Sequence, residues 1–252
     1  MKPENGSEDN EMNKIQTEKE YQAELLGILR DNNGFTIRSA TDFDRRFALD
    51  REMLFGFLND TQPETMEKLR KIHKDRLEDT LIGFINTECT KKRGSLIEVL
   101  KHGVELSGHR IDLMYTKPAT TFNKDLMAKY QQNRFTVMEE VWANDKERID
   151  VVIFLNGFTI ITMELKCNYA GQSTADAIYQ YRMERDPNSR LFMFKAGALV
   201  NFAMDLHEVY MTTKLEGEKT FFLPFNQGNG EGVNAGAGNA PCEDDYPVHY
   251  MW

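Results

Sequence analysis

The chain has 252 residues, 40% of them hydrophobic, and its 40 Asp and Glu against 31 Lys and Arg give a formal net charge of −9. This length suits one large domain or two small ones, and no apolar run is long enough for a membrane helix. Residues 1–16 hold no apolar signal core, and the three cysteines are scattered, so we expect a cytoplasmic protein with free thiols. With this charge, any contact with nucleic acid must come from a local basic patch.

The first predicted element is a helix. We expect residues 1–16 to form a disordered lead, after which Thr17 can cap a helix that begins at about Glu18. The apolar residues of this helix have the spacing of a buried face, and one carboxylate, Glu24, falls on the same stripe.

Helices dominate the next part of the chain. Apolar spacing and capping residues predict helices over 48–58, from Pro63 to the basic residues at 91–93, over 95–103 and over 123–133. Strands are predicted over 110–116 and 135–142.

A hairpin gives the clearest strand signal, in the sequence RIDVVIFLNGFTIITMELK. Strands over 149–155 and 158–165 flank Asn156-Gly157, a residue pair that favours a two-residue turn. Downstream of the hairpin we expect a helix over 174–184 and strands over 191–195, 198–203, 207–213 and 219–223.

The end of the chain differs in composition. Residues 226–241 contain five glycines and few apolar side chains, which predicts a flexible linker, whereas residues 246–252 are aromatic and suggest a piece of a longer protein. We therefore divide the chain into a lead over 1–16, a folded domain over 17–225, and a linker with the start of a further connection over 226–252.

Charged residues stand near the two outer ends of the apolar hairpin. Asp150 is close to the start of the first strand, and Glu164 and Lys166 share a face near the end of the second. Two carboxylates suit Mg²⁺, and the Leu165 carbonyl offers a third oxygen ligand. A lysine beside such a metal can orient or deprotonate a metal-bound water. The alternative is a structural ion pair between Lys166 and either acid.

Strand parity constrains this metal site. With a plain two-residue turn, Asp150 and Glu164 project from opposite faces of the sheet, and one metal cannot bridge them. Asp150 and Glu164 can share a metal only if the pairing of the two strands is shifted by one residue. A three-residue loop with Gly157 at positive φ, or a β-bulge within 149–155, would produce this shift.

The hairpin and its surroundings resemble a known family. RIDVVIFLNGFTIITMELK is similar to the Asp strand, NG turn and ELK strand of the N-terminal nuclease domain of the type I restriction enzyme R subunit, a member of the PD-(D/E)xK superfamily. The resemblance reaches upstream to FDRRFALDREMLFGFLNDTQPE and downstream through TADAIYQYRMERDP and VYMTTKLEGEKTFFLPFNQGNG. It implies a restriction-endonuclease-like α/β fold, with a mixed central sheet flanked by helices.

The resemblance also implies a function, which is Mg²⁺-dependent cleavage of double-stranded DNA. Asp150 and Glu164 would be the metal ligands, and Lys166 would activate the water. The implied partners are double-stranded DNA and the methylase and specificity subunits of a restriction–modification complex, with no membrane involved. The sequence has no G-x-x-x-x-G-K phosphate loop, so we expect an ATP site only in the motor domain of the family, which this chain lacks.

Further candidate residues lie outside the hairpin. Nucleases of this fold often bring an acid from the first helix, which makes Glu24 a candidate further metal ligand. Gln180 matches the glutamine of a Q-x-x-x-Y motif in related nucleases, but Glu184 replaces its tyrosine. The predicted DNA contacts are Gln180, Arg182, Arg185, Arg190 and Lys195.

Two other functions remain open at this point. The chain would be a catalytically silent docking domain, joining the motor to the methylase–specificity complex, if its carboxylates bind no metal. It would be a self-sufficient nuclease if no motor follows it. Metal binding tests the first alternative, and the sequence of the gene beyond codon 252 tests the second.

Overall fold

A computed structural model describes residues 17–120, 122–231 and 236–241, so the expectations for 1–16 and 246–252 lie outside the described residues. The helices are α1 (Glu18–Asp31), α2 (Arg51–Thr61), α3 (Pro63–His73), α4 (Leu77–Thr90), α5 (Leu96–His102), α6 (Lys124–Tyr130) and α7 (Thr174–Met183). The strands are β1 (Thr36–Arg38), β2 (Phe43–Asp44), β3 (Leu49–Asp50), β4 (Val104–Leu106), β5 (His109–Ile111), β6 (Phe135–Trp142), β7 (Arg148–Leu155), β8 (Phe158–Leu165), β9 (Val200–Met204), β10 (Val209–Thr212) and β11 (Leu223–Pro224).

A mixed sheet forms the centre of the fold, in the order β1-β6-β7-β8-β9-β10-β11. Strands β6, β7 and β8 run antiparallel, whereas β1 is parallel to β6 and β9 is parallel to β8. Strand β3 adds to β8 at Phe158, and β4 and β5 form a separate two-stranded ribbon. The sheet confirms the α/β fold predicted from the sequence.

Alternation along the hairpin directs apolar side chains to both faces of the sheet. Val151 and Ile153 pack with α1 residues such as Leu25 on one face. Val152 and Phe154 pack with Ala177 and Tyr181 of α7 on the other. The hairpin is therefore buried on both faces, which explains why its sequence is apolar almost throughout.

Several helices form as the sequence predicts, and one does not. Thr17 caps α1 through a complete capping box, as expected. The long helix predicted from Pro63 is broken, because α3 ends at His73 and a 3₁₀ turn at Lys74–Arg76 precedes α4. Lys74 has φ 53°, outside the helical region. The apolar spacing continues across the break, so periodicity alone could not reveal it.

The predicted strand over 191–195 is wrong. This segment consists of turns, in which the Phe192 N–H bonds to the Ser189 carbonyl at 3.1 Å and the Ala196 N–H to the Met193 carbonyl at 3.0 Å. Leu191 and Phe192 are buried against α7 all the same, so an apolar run marks burial here rather than a strand. Strands β6, β7 and β8 match their predicted bounds to within one residue, and β5, β9 and β10 are shorter or shifted forms of predicted strands. The strand predicted over 219–223 is wrong except at Leu223, where β11 begins.

The described parts of the glycine-rich segment, 226–231 and 236–241, contain no helix or strand. They bond to one another, however, since the Gly228 N–H donates to the Asn239 carbonyl at 2.7 Å.

The hairpin turn has two residues, yet the pairing of β7 with β8 shifts by one residue farther along the strands. Asn156 and Gly157 have φ of 50° and 85°, and Leu155 pairs with Phe158. A Cβ on Gly157 would lie 2.4 Å from the Asp50 carbonyl oxygen, so only glycine fits there.

The parity changes at a bulge in the second strand. The register shifts between the pairs Phe154–Thr159 and Ile153–Ile161, which leaves Ile160 as the extra residue. The one-residue shift in strand pairing was therefore predicted correctly, but both positions suggested for it were wrong. The loop has two residues, and the bulge lies in β8 rather than within 149–155.

Candidate active site

Beyond the bulge, the hairpin register brings the two carboxylates together. The pair Val151–Met163, continued by one residue, places Asp150 opposite Glu164. Both side chains are buried, and the Leu165 N–H donates to Asp150 Oδ2 at 2.8 Å. We call this part of the hairpin its open end, defined by Asp150, Glu164, Leu165 and Lys166, and the opposite part its turn end, defined by Asn156 and Gly157.

Lys166 places its ammonium group among oxygen atoms. Its Nζ donates to the Leu165 carbonyl at 2.7 Å and to Glu18 Oε2 at 3.0 Å, and it lies 4.0 Å from Asp150 Oδ2. The side chain is 5% exposed. A positive group therefore already sits among oxygens that include two of the predicted metal ligands.

Glu164 is fully buried, and its two oxygens have different surroundings. Arg185 donates to Oε1 through Nε at 2.8 Å, and its Nη2 lies 2.7 Å from the same oxygen. Oε2 is also buried and has no hydrogen-bond partner among the described residues. An unpaired buried acceptor of this kind costs about 1–3 kcal/mol, and it calls for an explanation.

Burial disfavours negative charge at both acids. It raises the pKa of Glu164 well above its ordinary value, and the charge of Asp150 raises it further, although Arg185 and Lys166 oppose this. Burial also raises the pKa of Asp150, against the opposing effects of Lys166 and the Leu165 N–H. Both carboxylates would thus gain from another cation.

These residues fit a magnesium ion. No group of three or more His, Cys, Asp or Glu side chains within 17–120, 122–231 and 236–241 is arranged to hold a metal. Magnesium, however, commonly takes only one or two carboxylates and keeps several waters. The unpaired Glu164 Oε2, the Asp150 carboxylate and the Leu165 carbonyl supply oxygen donors of that kind, and the Lys166 ammonium marks where positive charge is already stabilised.

The acid of α1 that bonds to the open end is Glu18 rather than the predicted Glu24. Glu24 is exposed, whereas Glu18 lies in the first turn of the helix, next to the cap, and bonds to Lys166. The sequence placed Glu24 on the apolar stripe, but Gln22 is the buried polar residue of this helix, and it donates to Glu139 at 2.7 Å. Nothing in the sequence distinguishes Glu18 as a site residue, since acids are common in the first turn of any helix.

Most of the basic residues predicted to contact DNA bond to groups within the protein. Arg182 donates twice to the Thr220 carbonyl, at 3.0 and 2.9 Å, and Arg185 is buried on Glu164. Arg190 donates to Asn86 at 2.9 Å and to the Ala196 carbonyl, and burial lowers its pKa. Lys195 alone among these basic residues is exposed. Their charges serve contacts within the protein, which spacing along the sequence could not reveal.

Gln180 is partly buried on α7. Its Oε1 atom is buried without a hydrogen-bond partner among the described residues. Glu184, which replaces the tyrosine of the related motif, is exposed at the end of the helix.

A mixed sheet between helices, with an Asp, Glu and Lys set at the open end of a bulged hairpin, is the arrangement of a restriction-endonuclease-like domain. The family model of the type I restriction enzyme R protein N terminus matches residues 15–220, and the chain belongs to this family. No curated protein matches the chain. Among the described residues, no helix is long and apolar enough to cross a membrane.

Proposed function

We propose that this domain is a Mg²⁺-dependent endonuclease that cleaves double-stranded DNA as part of a type I restriction R subunit. One observation carries the proposal. The bulge at Ile160 brings Asp150 opposite Glu164, beside Lys166, and Glu164 Oε2 is buried there with no partner in the part of the chain that the structure describes. A structural ion pair would need neither the bulge nor an unpaired carboxylate oxygen.

Asp150, Glu164 and the Leu165 carbonyl are the groups that would hold the metal. When bound, Mg²⁺ supplies Lewis-acid polarisation of the scissile phosphate and lowers the pKa of a coordinated water. Burial of all three groups keeps bulk water away and strengthens the electrostatic interactions within the site.

Lys166 offers the only ammonium among the residues of the open end. Its contacts with Glu18 Oε2 and the Leu165 carbonyl hold it beside Asp150. From this position it can orient the attacking water and offset the negative charge that develops on the phosphate. Glu18 fixes the direction of the lysine side chain, so it acts through Lys166.

Family membership supports the proposed substrate and partners. On this basis we propose double-stranded DNA as substrate, and the methylase and specificity subunits of the restriction–modification complex as partners. We further propose that this chain does not use ATP, since its sequence has no G-x-x-x-x-G-K loop.

Metal binding by the purified chain tests this proposal. Isothermal titration with Mg²⁺ should show binding to the wild type and none to Asp150→Asn or Glu164→Gln, because each removes one anionic ligand. Glu24→Gln, which removes an exposed acid from α1, is the matched control and should bind like the wild type. Absence of binding by the wild type, or equal binding by all variants, would overturn the proposal in favour of a silent docking domain.

A further inference from the structure

Arg185 connects the end of α7 with both strands of the hairpin. It lies two residues beyond the helix and is buried, with its side chain 5% exposed. Besides its contacts with Glu164 Oε1, its Nη2 donates to the Arg148 carbonyl of β7 at 3.1 Å. The planar guanidinium thus bonds to β7 and β8 together, and this geometry fixes its orientation.

This contact makes the two oxygens of Glu164 unequal. Oε1 accepts from the guanidinium, while Oε2, on the same carboxylate, has no partner among the described residues. A carboxylate held through one oxygen by a buried fork cannot rotate freely about its last bond. Glu164 therefore presents one particular oxygen for a further ligand.

We propose that Arg185 is a positioning residue that makes Glu164 a one-oxygen ligand, and thereby selects Mg²⁺ over Ca²⁺. This inference rests on the proposed metal site. Magnesium requires a near-octahedral shell of short bonds, whereas calcium accepts more oxygens and often takes both atoms of a carboxylate. By occupying Oε1, Arg185 removes the two-oxygen mode that favours calcium.

The same contacts argue against a role for Arg185 in binding DNA. A side chain this buried, with donors engaged by Glu164 and Arg148, cannot reach a phosphate backbone in this conformation. Lysine could not replace it, since an ammonium group lacks the rigid fork that bonds the carboxylate and the carbonyl together.

The ratio of the Mg²⁺ and Ca²⁺ dissociation constants tests the inference. Removing Arg185 also removes a positive charge, which changes the affinity for every divalent cation, but this effect cancels in the ratio. Replacing a residue that orients a metal ligand typically changes metal affinity about 10- to 100-fold. We therefore expect Arg185→Ala to shift the ratio about tenfold toward Ca²⁺, measured by isothermal titration of the purified chain.

Two further variants make the test specific. Arg185→Lys keeps the charge and loses the fork, so its ratio should shift in the same direction even if Arg185→Ala fails to fold. Arg182→Ala removes an arginine three residues earlier, whose contacts within the described ranges are with the Thr220 carbonyl and the Phe222 ring, and its ratio of dissociation constants should not change.

The outcomes separate this inference from the proposed function. Suppose that Arg185→Ala and Arg185→Lys keep the wild-type ratio of the Mg²⁺ and Ca²⁺ dissociation constants, while Glu164→Gln loses metal binding. This result would overturn the role of Arg185 and leave the metal site in place. Failure of the wild type to bind either cation would overturn the proposed metal site itself.

Discussion

The polar groups buried at the two ends of the hairpin differ in their hydrogen bonding. At the turn end, Asn156 is fully buried, and its side chain accepts from the Arg134 N–H at 2.7 Å and donates to the Leu113 carbonyl and to Asn133, both at 3.0 Å. At the open end, Glu164 is buried just as deeply, yet Oε2 has no partner among the described residues.

We interpret this difference as one between groups that stabilise the fold and groups to which the proposed function gives a chemical role. The neutral amide at the turn end is fully bonded, so it contributes to stability and to a single conformation. The carboxylates at the open end have raised pKa values, caused first by burial, so their charge costs stability in the folded chain. The following changes test this contrast, from the largest expected effect to the smallest.

Lys166→Ala should reduce DNA cleavage by about a thousandfold, because a positioned acid–base group commonly contributes 10²–10⁴-fold. The protein should still fold and bind Mg²⁺, since both carboxylates remain. The measurement is the cleavage rate of the assembled restriction enzyme under ATP-saturated conditions. Near-normal cleavage would remove Lys166 from the proposed mechanism.

Asn156→Ala should destabilise the fold by about 3 kcal/mol, from three lost hydrogen bonds at about 1 kcal/mol each, without changing the affinity for Mg²⁺. Urea denaturation measures the loss. Asn156→Gly loses the same bonds but tolerates φ 50°, so it should be about 1 kcal/mol more stable than the alanine variant. A clear effect on Mg²⁺ affinity would contradict the separation of the two ends.

Glu18→Gln should slow cleavage by about tenfold. The glutamine can still accept a hydrogen bond from Lys166, but it loses the contribution of the negative charge to that bond, a difference of about 1.4 kcal/mol. Cleavage kinetics of the assembled enzyme provide the measurement, with Glu24→Gln, on the same helix, as the control. Equal rates for the two variants would mean that Glu18 does not position Lys166.

Asp150→Asn should make the metal-free chain more stable by about 1 kcal/mol, or a few degrees in melting temperature, although it abolishes Mg²⁺ binding. The amide oxygen can still accept from the Leu165 N–H, and the buried charge is gone. Asn156→Ala, at the turn end, should have the opposite effect on stability.

The effect of Asp150→Asn has a defined pH dependence. The pKa of Asp150 is raised in the folded chain, so the folded state binds its proton more tightly than the unfolded state does. The wild type therefore loses stability as the pH rises from about 4, the ordinary aspartate pKa, through the raised value. Melting temperatures in the presence of a chelator should agree at low pH and diverge as the pH rises; a less stable variant at neutral pH would contradict the assignment.

The sequence predicted the features that depend on local chemistry. The capping box at Thr17, the turn at Asn156-Gly157 and the placement of Asp150, Glu164 and Lys166 near one end of the hairpin each rest on residue types at fixed spacing. The family resemblance was confirmed over residues 15–220.

The remaining features depend on tertiary packing, which local patterns do not record. The position of the bulge is one case. In FTIITMEL the strand is buried on both faces, so consecutive apolar residues carry no sign of which one is extra. Arg185 is another, because only the fold shows that it meets Glu164 rather than solvent.

The bulge at Ile160 also sets which changes in length this hairpin can absorb during evolution. Deleting Ile160 would remove the bulge and leave a regular two-residue hairpin, in which Asp150 still pairs with Glu164. Deleting one further residue from either strand between 151 and 163 would move the two carboxylates to opposite faces of the sheet. Related proteins that keep the facing carboxylates should therefore have 13 residues between them, as here, with a bulge, or one fewer without it.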